Sequence, residues 1–305
     1  MTNVPVESQR PDTRRNRITL ALMQALMRLP FRTRVRVAGW IGVHILGHLG
    51  HFRGKVAAAV RHFMPELPEA EVRRIAREVP GNFARMIVEV YSSRDFATIA
   101  ASIPLVGPGL DALEQARVEG RPTVLVSAHF GNYEAWRLGL WAQGFNVGAY
   151  FKEQTSPGLN SPYVDAILAS GQPTFFDTLE GRKGMIRFLR AGGILGILID
   201  VDRPNGVLLD FMGQPTRTVL SMAELALKYD AVLVPAFGIR TPEAPGFRVL
   251  IDAPVPHSDA VTMTLALNAA FGAQVRAHPE QWVWWHNRRK KSHPRPALDN
   301  PSTRG

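Results

Sequence analysis

Beyond Ile103 the chain repeats one alternation, a short continuous apolar run rich in β-branched residues and then a stretch with helical periodicity. "TVLVSAH" precedes a helical pattern from Asn132 to about Gln143, "VGAYFK" one near Ser161 to Ala169, and "TFFD" one from Gly181 to Arg190. "ILGILID" leads through a loop to a helix from Val219 to Tyr229; "AVLVPAFGIR" and "FRVLIDAPV" then precede a helix from Asp259 to Ala277. Runs that are apolar at every position are buried on both faces, and helices between them permit parallel pairing. The expected fold is therefore α/β, a mainly parallel mixed sheet flanked by helices. Ligands of such sheets gather beyond the carboxyl ends of the strands. His129 ends the first run and Asp200 ends "ILGILID", so two ionisable groups are expected at one sheet edge.

Before this region the spacing predicts four helices, Arg17 to Leu29, Arg34 to Leu49, Lys55 to Met64 and Pro68 to Ser92. The last opens with a proline and first-turn glutamates, which are helix-start signals. The expected organisation is a basic flexible N-terminus over 1–16, a helical membrane-associating region over 17–95, the α/β domain over 96–290 and a disordered, proline-rich tail over 291–305. Basic residues before "ITLALMQALMRL" imitate a signal peptide, but the run enters Pro30 and further arginines instead of a small-residue cleavage site. A span needs about 20 apolar residues. Gln24 and Arg28 interrupt the first candidate, and "VAGWIGVHILGHLGHF" is short and holds three histidines. Both fit helices lying in a membrane interface, with arginines reaching lipid phosphates.

Charge and cysteine content narrow the chemistry. The net charge of +10 points to anionic partners. Nucleic acid is one such class, but no nucleic-acid-binding motif is present. With no cysteine there is no disulfide, thiolate metal site or cysteine nucleophile.

The stretch "LVSAHFGNYEAW" carries the chemistry. Once the strand has delivered His129, Phe130 and Gly131 make a turn, Asn132 caps the next helix, and Glu134 falls in its first turn. A carboxylate facing the imidazole would fix its tautomer and leave the other ring nitrogen to take a proton. The helix N-terminus offers N–H donors to a developing oxyanion. Glu134 is placed first as the supporting acid; Asp200, at the same edge, is the alternative.

"HFGNYE" resembles the His-x4-Asp/Glu motif of the bacterial lipid A biosynthesis (lauroyl/myristoyl) acyltransferases. "AAAVRHFMPELPEAEVRRIAREVPGNFARMIVEV", "DVDRPNGVLLDFMGQPTRT" and "HPEQWVWWHNRRKK" are similar to that family's segments, in the same order. The resemblance implies transfer of a fatty acyl chain from an acyl carrier protein thioester to a hydroxyl of a lipid A precursor, at the cytoplasmic face of the bacterial inner membrane. It casts His129 as general base and Glu134 as its support, with acyl carrier protein and anionic membrane lipids as partners. No cofactor and no metal are implied. Lys152 stands where the family's pattern leads to an arginine, which leaves other hydroxylated lipids open as acceptors: a phosphoinositol mannoside, an ornithine lipid or a lysophospholipid.

Lesser candidates complete the reading. Arg217 and Thr218 close the "FMGQPTRT" loop and are expected to touch a phosphate or the carrier, along with Lys152. Asp200, Asp202 and Asp210 suggest magnesium, but acids in a glycine-proline loop are ordinarily turn formers. Ser127 lacks the G-x-S-x-G elbow of a serine hydrolase. Trp136, Leu140 and Phe151 are candidate walls of an acyl groove, and Trp282, Trp284 and Trp285 beside "RRKK" are candidate interfacial anchors.

Overall fold

A computed structural model describes residues 14–151, 157–201, 203, 205–243 and 246–285. The chain opens with α1 (Arg14–Met27), α2 (Phe31–Ile41), a π-helical turn (Gly42–Leu46), α3 (Phe52–Phe63), α4 (Glu69–Tyr91) and α5 (Ser93–Ala100). The α/β part follows as β1 (Leu105–Val106), α6 (Leu110–Glu119), β2 (Thr123–Ser127), α7 (Tyr133–Ala142), β3 (Val147–Phe151), α8 (Pro157–Leu168), β4 (Thr174–Phe176) and α9 (Leu179–Arg190). It ends with β5 (Ile194–Leu198), β6 (Val207–Phe211), β7 (Gln214–Thr218), α10 (Ser221–Tyr229), β8 (Val232–Arg240), β9 (Phe247–Ile251) and α11 (Ala260–Ala277).

Seven strands form one sheet in the order β1-β9-β8-β2-β5-β3-β4. All pairs are parallel except β8–β9. The mainly parallel α/β sheet read from the sequence is the one observed. Along β2, Val124 and Val126 enter one apolar core and Leu125 the other, so a run without polar residues is what a strand covered on both faces requires. The segment expected as a loop after β5 contains a hairpin instead, β6 paired antiparallel with β7.

The N-terminal helices divide by packing. Val60 and Phe63 of α3 and Ile75 and Val79 of α4 share a core with Leu233 and Phe237 of β8. Each fully buried side chain of this size contributes about 1.5–3 kcal/mol, so α3 and α4 belong to the α/β body. By contrast Leu22, Trp40, Ile45 and Leu49, on α1, α2 and the turns after it, are exposed. Among the described residues no helix is long and apolar enough to cross a membrane. The expected flexible stretch 1–16 up to residue 13, and the expected tail 291–305, lie outside the described residues.

Candidate active site

Strand register builds the site. β5 lies beside β2 in parallel with Ser127 opposite Leu198. Two residues beyond each strand end stand His129 and Asp200, which register therefore brings side by side. His129 Nδ1 is 2.7 Å from Asp200 Oδ1. Oδ2 accepts the His129 backbone N–H at 3.0 Å and the Trp282 indole Nε1–H at 3.0 Å. With these donors an ionised carboxylate, acceptor only, is matched and holds the imidazole with its proton on Nδ1. The Asp200 side chain is only 2% exposed, whereas that of His129 is 24% exposed. The acid is sealed in and the imidazole reaches the surface.

The turn after His129 follows the expected design. Gly131 has φ +54°, and a Cβ there would collide with the Gly238 carbonyl of β8. Asn132 caps α7, its Oδ1 accepting the Glu134 N–H at 2.8 Å. Its Nδ2 donates to Glu89 Oε2 at 2.8 Å. Glu89, on α4, also receives Arg240 Nη1 and Nη2 at 2.8 and 2.7 Å. The sequence reading missed Glu89, although an acid between Val88 and Val90 in an apolar helical run was a signal of a buried partner.

Glu134 does not take the role expected of it. Its carboxylate is fully buried and is held by Arg137, one helical turn on: Nε lies 3.1 Å from both oxygens, and Nη2 donates to Oε2. Arg137 Nη1 then reaches Gln172 Oε1 at 2.8 Å and Ser170 Oγ at 3.1 Å. The two acids have exchanged places: Asp200 meets the imidazole, and Glu134 belongs to an internal ion pair beneath the turn. The expectation for oxyanion donors changes as well. The N–H groups of Phe130, Gly131, Asn132, Glu134 and Ala135 are spent on Ala128 O, Gln281 O, Gly238 O, Asn132 Oδ1 and Asn132 O.

Thr218 is 1% exposed, with Asn268 Nδ2 donating to its hydroxyl at 3.4 Å, so burial removes it from substrate contact. Arg217 Nη1 donates to the Gly206 carbonyl at 3.3 Å, bracing the hairpin against the loop before it. Asp210 is exposed and accepts the Gly213 N–H at 3.4 Å, the turn-forming role. Lys152 and Asp202 lie outside the described residues. Trp136, Leu140 and Phe151 sit in the core on one side of the sheet. Trp282 and Trp284 are buried too and Trp285 is half-buried, a correction to their reading as interfacial anchors. The reason for Trp282 is its hydrogen bond to Asp200. Ser127 is buried in the sheet.

Burial also acts on the tyrosines around the turn. The Tyr133 ring packs edge-on to His129 with centroids 6.0 Å apart. Loss of solvent pushes the Tyr133 phenol well above its ordinary pKa, and the same cause raises Tyr91 to about 12. Both phenols are therefore neutral donors at physiological pH.

Several known proteins are similar to this chain. A phosphatidylinositol mannoside acyltransferase from Mycobacterium tuberculosis strain H37Rv is 28% identical over 60% of this chain and 60% of its own length. The protein of that name from strain CDC 1551 is 25% identical over 80% of this chain and 84% of its own. A lipid A biosynthesis acyltransferase from Haemophilus influenzae is 22% identical over 84% of this chain and 81% of its own. Among solved structures, the 1-acyl-sn-glycerophosphate acyltransferase of Thermotoga maritima matches 88% of this chain and 99% of its own at 13% identity, with a TM-score of 0.34. The family model described as bacterial lipid A biosynthesis acyltransferase matches residues 7–291, and by that match along nearly its whole length the chain belongs to this family.

Proposed function

We propose that this acyltransferase moves a fatty acyl chain from an acyl carrier protein thioester to a hydroxyl of a lipid A precursor, with His129 as general base and Asp200 as the acid that holds it. The observation carrying this reading is the 2.7 Å contact between a buried carboxylate and a surface-reaching imidazole at the carboxyl ends of adjacent parallel strands. In the transfer, His129 Nε2 takes the proton of the acceptor hydroxyl as its oxygen attacks the thioester carbonyl. Asp200 stabilises the imidazolium so formed. Collapse of the tetrahedral intermediate breaks the C–S bond, and the departing thiolate recovers the proton. No acyl-enzyme is needed, and no cofactor or metal takes part. General-base assistance of this kind contributes about 10²–10⁴-fold in rate.

A second acceptor, a phosphatidylinositol mannoside, is favoured by the relatives of that name at 28% and 25% identity. Incubating the enzyme and an acyl carrier protein thioester with each acceptor in turn, followed by mass analysis, tests both. The expected result is one acyl group added to the lipid A precursor, absent with His129→Ala. Exclusive acylation of the mannoside would support the second acceptor, and acylation of neither would refute the reading.

The setting we propose is the cytoplasmic face of the bacterial inner membrane, with the first helices lying in the interface. Support comes from Trp40 and Leu49, each 58% exposed, and from Arg28, Arg32 and Arg36, exposed along the same N-terminal stretch. The full chain is expected to cosediment with liposomes containing anionic lipid, and less so at high salt. Trp40→Ser with Leu49→Ser should lower the bound fraction several-fold. Unchanged cosedimentation of that double variant would refute this docking face.

A further inference from the structure

A cleft of about 550 Å³ opens between α4, the π-helical turn, the end of β8 and the segment around Gln281. Arg77, Glu78, Arg85, Arg240 and Glu280 supply its charged wall. The acids on that wall are already engaged. Arg74 Nη1 donates to Glu78 at 2.8 Å, Arg74 Nη2 lies 3.4 Å from Glu280, and Arg77 reaches Glu78 at 3.3 Å. Arg240 has its terminal nitrogens on Glu89, while its Nε is buried with no acceptor among the described residues. Arg85 has no carboxylate within ion-pair distance among the described residues. Its Nη1 donates to the neutral Asn82 Oδ1 at 2.8 Å.

The seat of Arg85 is a built one. Its guanidinium lies against Gly39 of α2, where any Cβ would collide with it. Burial, and after it the like charge of Arg240, lower its pKa from the ordinary guanidinium value. Glu89 and Glu78 act on Arg85 in the opposite sense from a distance, but neither touches it. Two neighbouring cations facing one cleft, one of them with no carboxylate in contact, are stabilised by an anion with several acceptor oxygens, and the guanidinium fork fits phosphate.

Position identifies the anion. His44, on the cleft wall, packs against the exposed Trp40 with ring centroids 5.1 Å apart, so the cleft adjoins the face proposed to meet the membrane. Gln281, also on the wall, accepts the Gly131 N–H at 2.9 Å and directly precedes Trp282, which holds Asp200. β8 and β2 are neighbours in the sheet, and neighbouring strands lie about 4.8 Å apart. The cleft wall thus touches both the proposed membrane face, through His44, and the turn that follows His129, through Gln281.

We infer that this cleft binds the phosphate of a lipid headgroup, with Arg85 as the donor and Arg240 adding its charge from behind, and thereby seats the acceptor lipid beside His129, an inference that rests on the lipid-acceptor reading above. The test is calorimetric titration and thermal melting of the full chain with sn-glycerol 3-phosphate, the headgroup probe, and with 4′-phosphopantetheine, the probe of the donor's arm. Glycerol phosphate is expected to bind saturably and to raise the melting temperature. Arg85→Gln should melt no lower than wild type, because it removes a charge that burial and Arg240 disfavour and that no carboxylate contacts, and should weaken binding at least tenfold. Arg85→Lys, which keeps the charge and loses the fork, should fall between. His129→Ala should bind as wild type does, so failure of the acyl-transfer reading, seen as no product with any acceptor, stays separable from failure of this site. Tighter binding of 4′-phosphopantetheine than of glycerol phosphate would overturn the headgroup assignment. Equal binding by wild type and Arg85→Gln, or no saturable binding of either probe, would overturn the site.

Discussion

Asp200→Asn is expected to cut the acyl-transfer rate by about 10²–10⁴-fold, the range of a lost general base, at temperatures well below the melting transition. The substitution is nearly isosteric, so the sheet edge survives. What changes is the donor count. Asp200 accepts from His129 Nδ1, the His129 backbone N–H and the Trp282 indole. An asparagine has one oxygen for these three donors, and its amide nitrogen is itself a donor. If the oxygen serves the backbone and indole, the amide faces Nδ1, which must become an acceptor; the ring proton moves to Nε2 and the base is lost. The loss should appear in kcat and in kcat/KM alike, since the interaction strengthens only as the imidazolium forms. Turnover measured by mass analysis of the acylated lipid checks it.

The second large effect concerns stability. Arg137→Met leaves the Glu134 carboxylate unpaired in a site without solvent. Breaking a buried ion pair in this way costs about 3–5 kcal/mol. At about 2–4 °C per kcal/mol for a chain of this order of size, the melting temperature should fall by roughly 10 °C. Replacing both partners, Glu134→Leu with Arg137→Met, should recover much of the loss, because a matched apolar pair carries no uncompensated charge. Calorimetric melting of the variants gives the answer. A double variant as unstable as Arg137→Met would mean that Arg137 acts mainly through Gln172 and Ser170, the other groups it contacts.

These two predictions turn on the one point that the sequence left open. Proximity along the chain favoured Glu134, five residues after His129. Competition for that carboxylate was also legible, since Arg137 stands three residues further on, the spacing at which side chains of a helix meet. Strand order was not legible. β5 follows β3 and β4 in the chain yet inserts between β2 and β3, and that insertion sets Asp200 against His129. Non-local pairing leaves no local trace, so an Asp at a strand end is a candidate until the neighbour of that strand is known.

The same contrast explains the fold. Strands buried on both faces announce themselves as apolar runs, and β2, β3, β5 and β8 stand where those runs predict. The β6–β7 hairpin was hidden for two reasons. Its turn is Met212–Gly213, both at positive φ, and Met is not among the residues that signal such a turn. Leu208 on its outer face is 50% exposed, which blurs the alternation of a one-faced strand. Helices α3 and α4 stand where the spacing predicts helices, and their apolar faces pack on the sheet. Amphipathic periodicity shows that a face is buried and is silent about whether lipid or a sheet buries it.

The pairing of His129 with Asp200 is tested most directly by a double-mutant cycle in acyl-transfer rate, with His129→Ala, Asp200→Asn and the two combined. If the acid acts only through the imidazole, the combined variant should be no slower than His129→Ala alone. A combined loss equal to the product of the two single losses, or an Asp200→Asn enzyme as fast as wild type, would contradict the pairing.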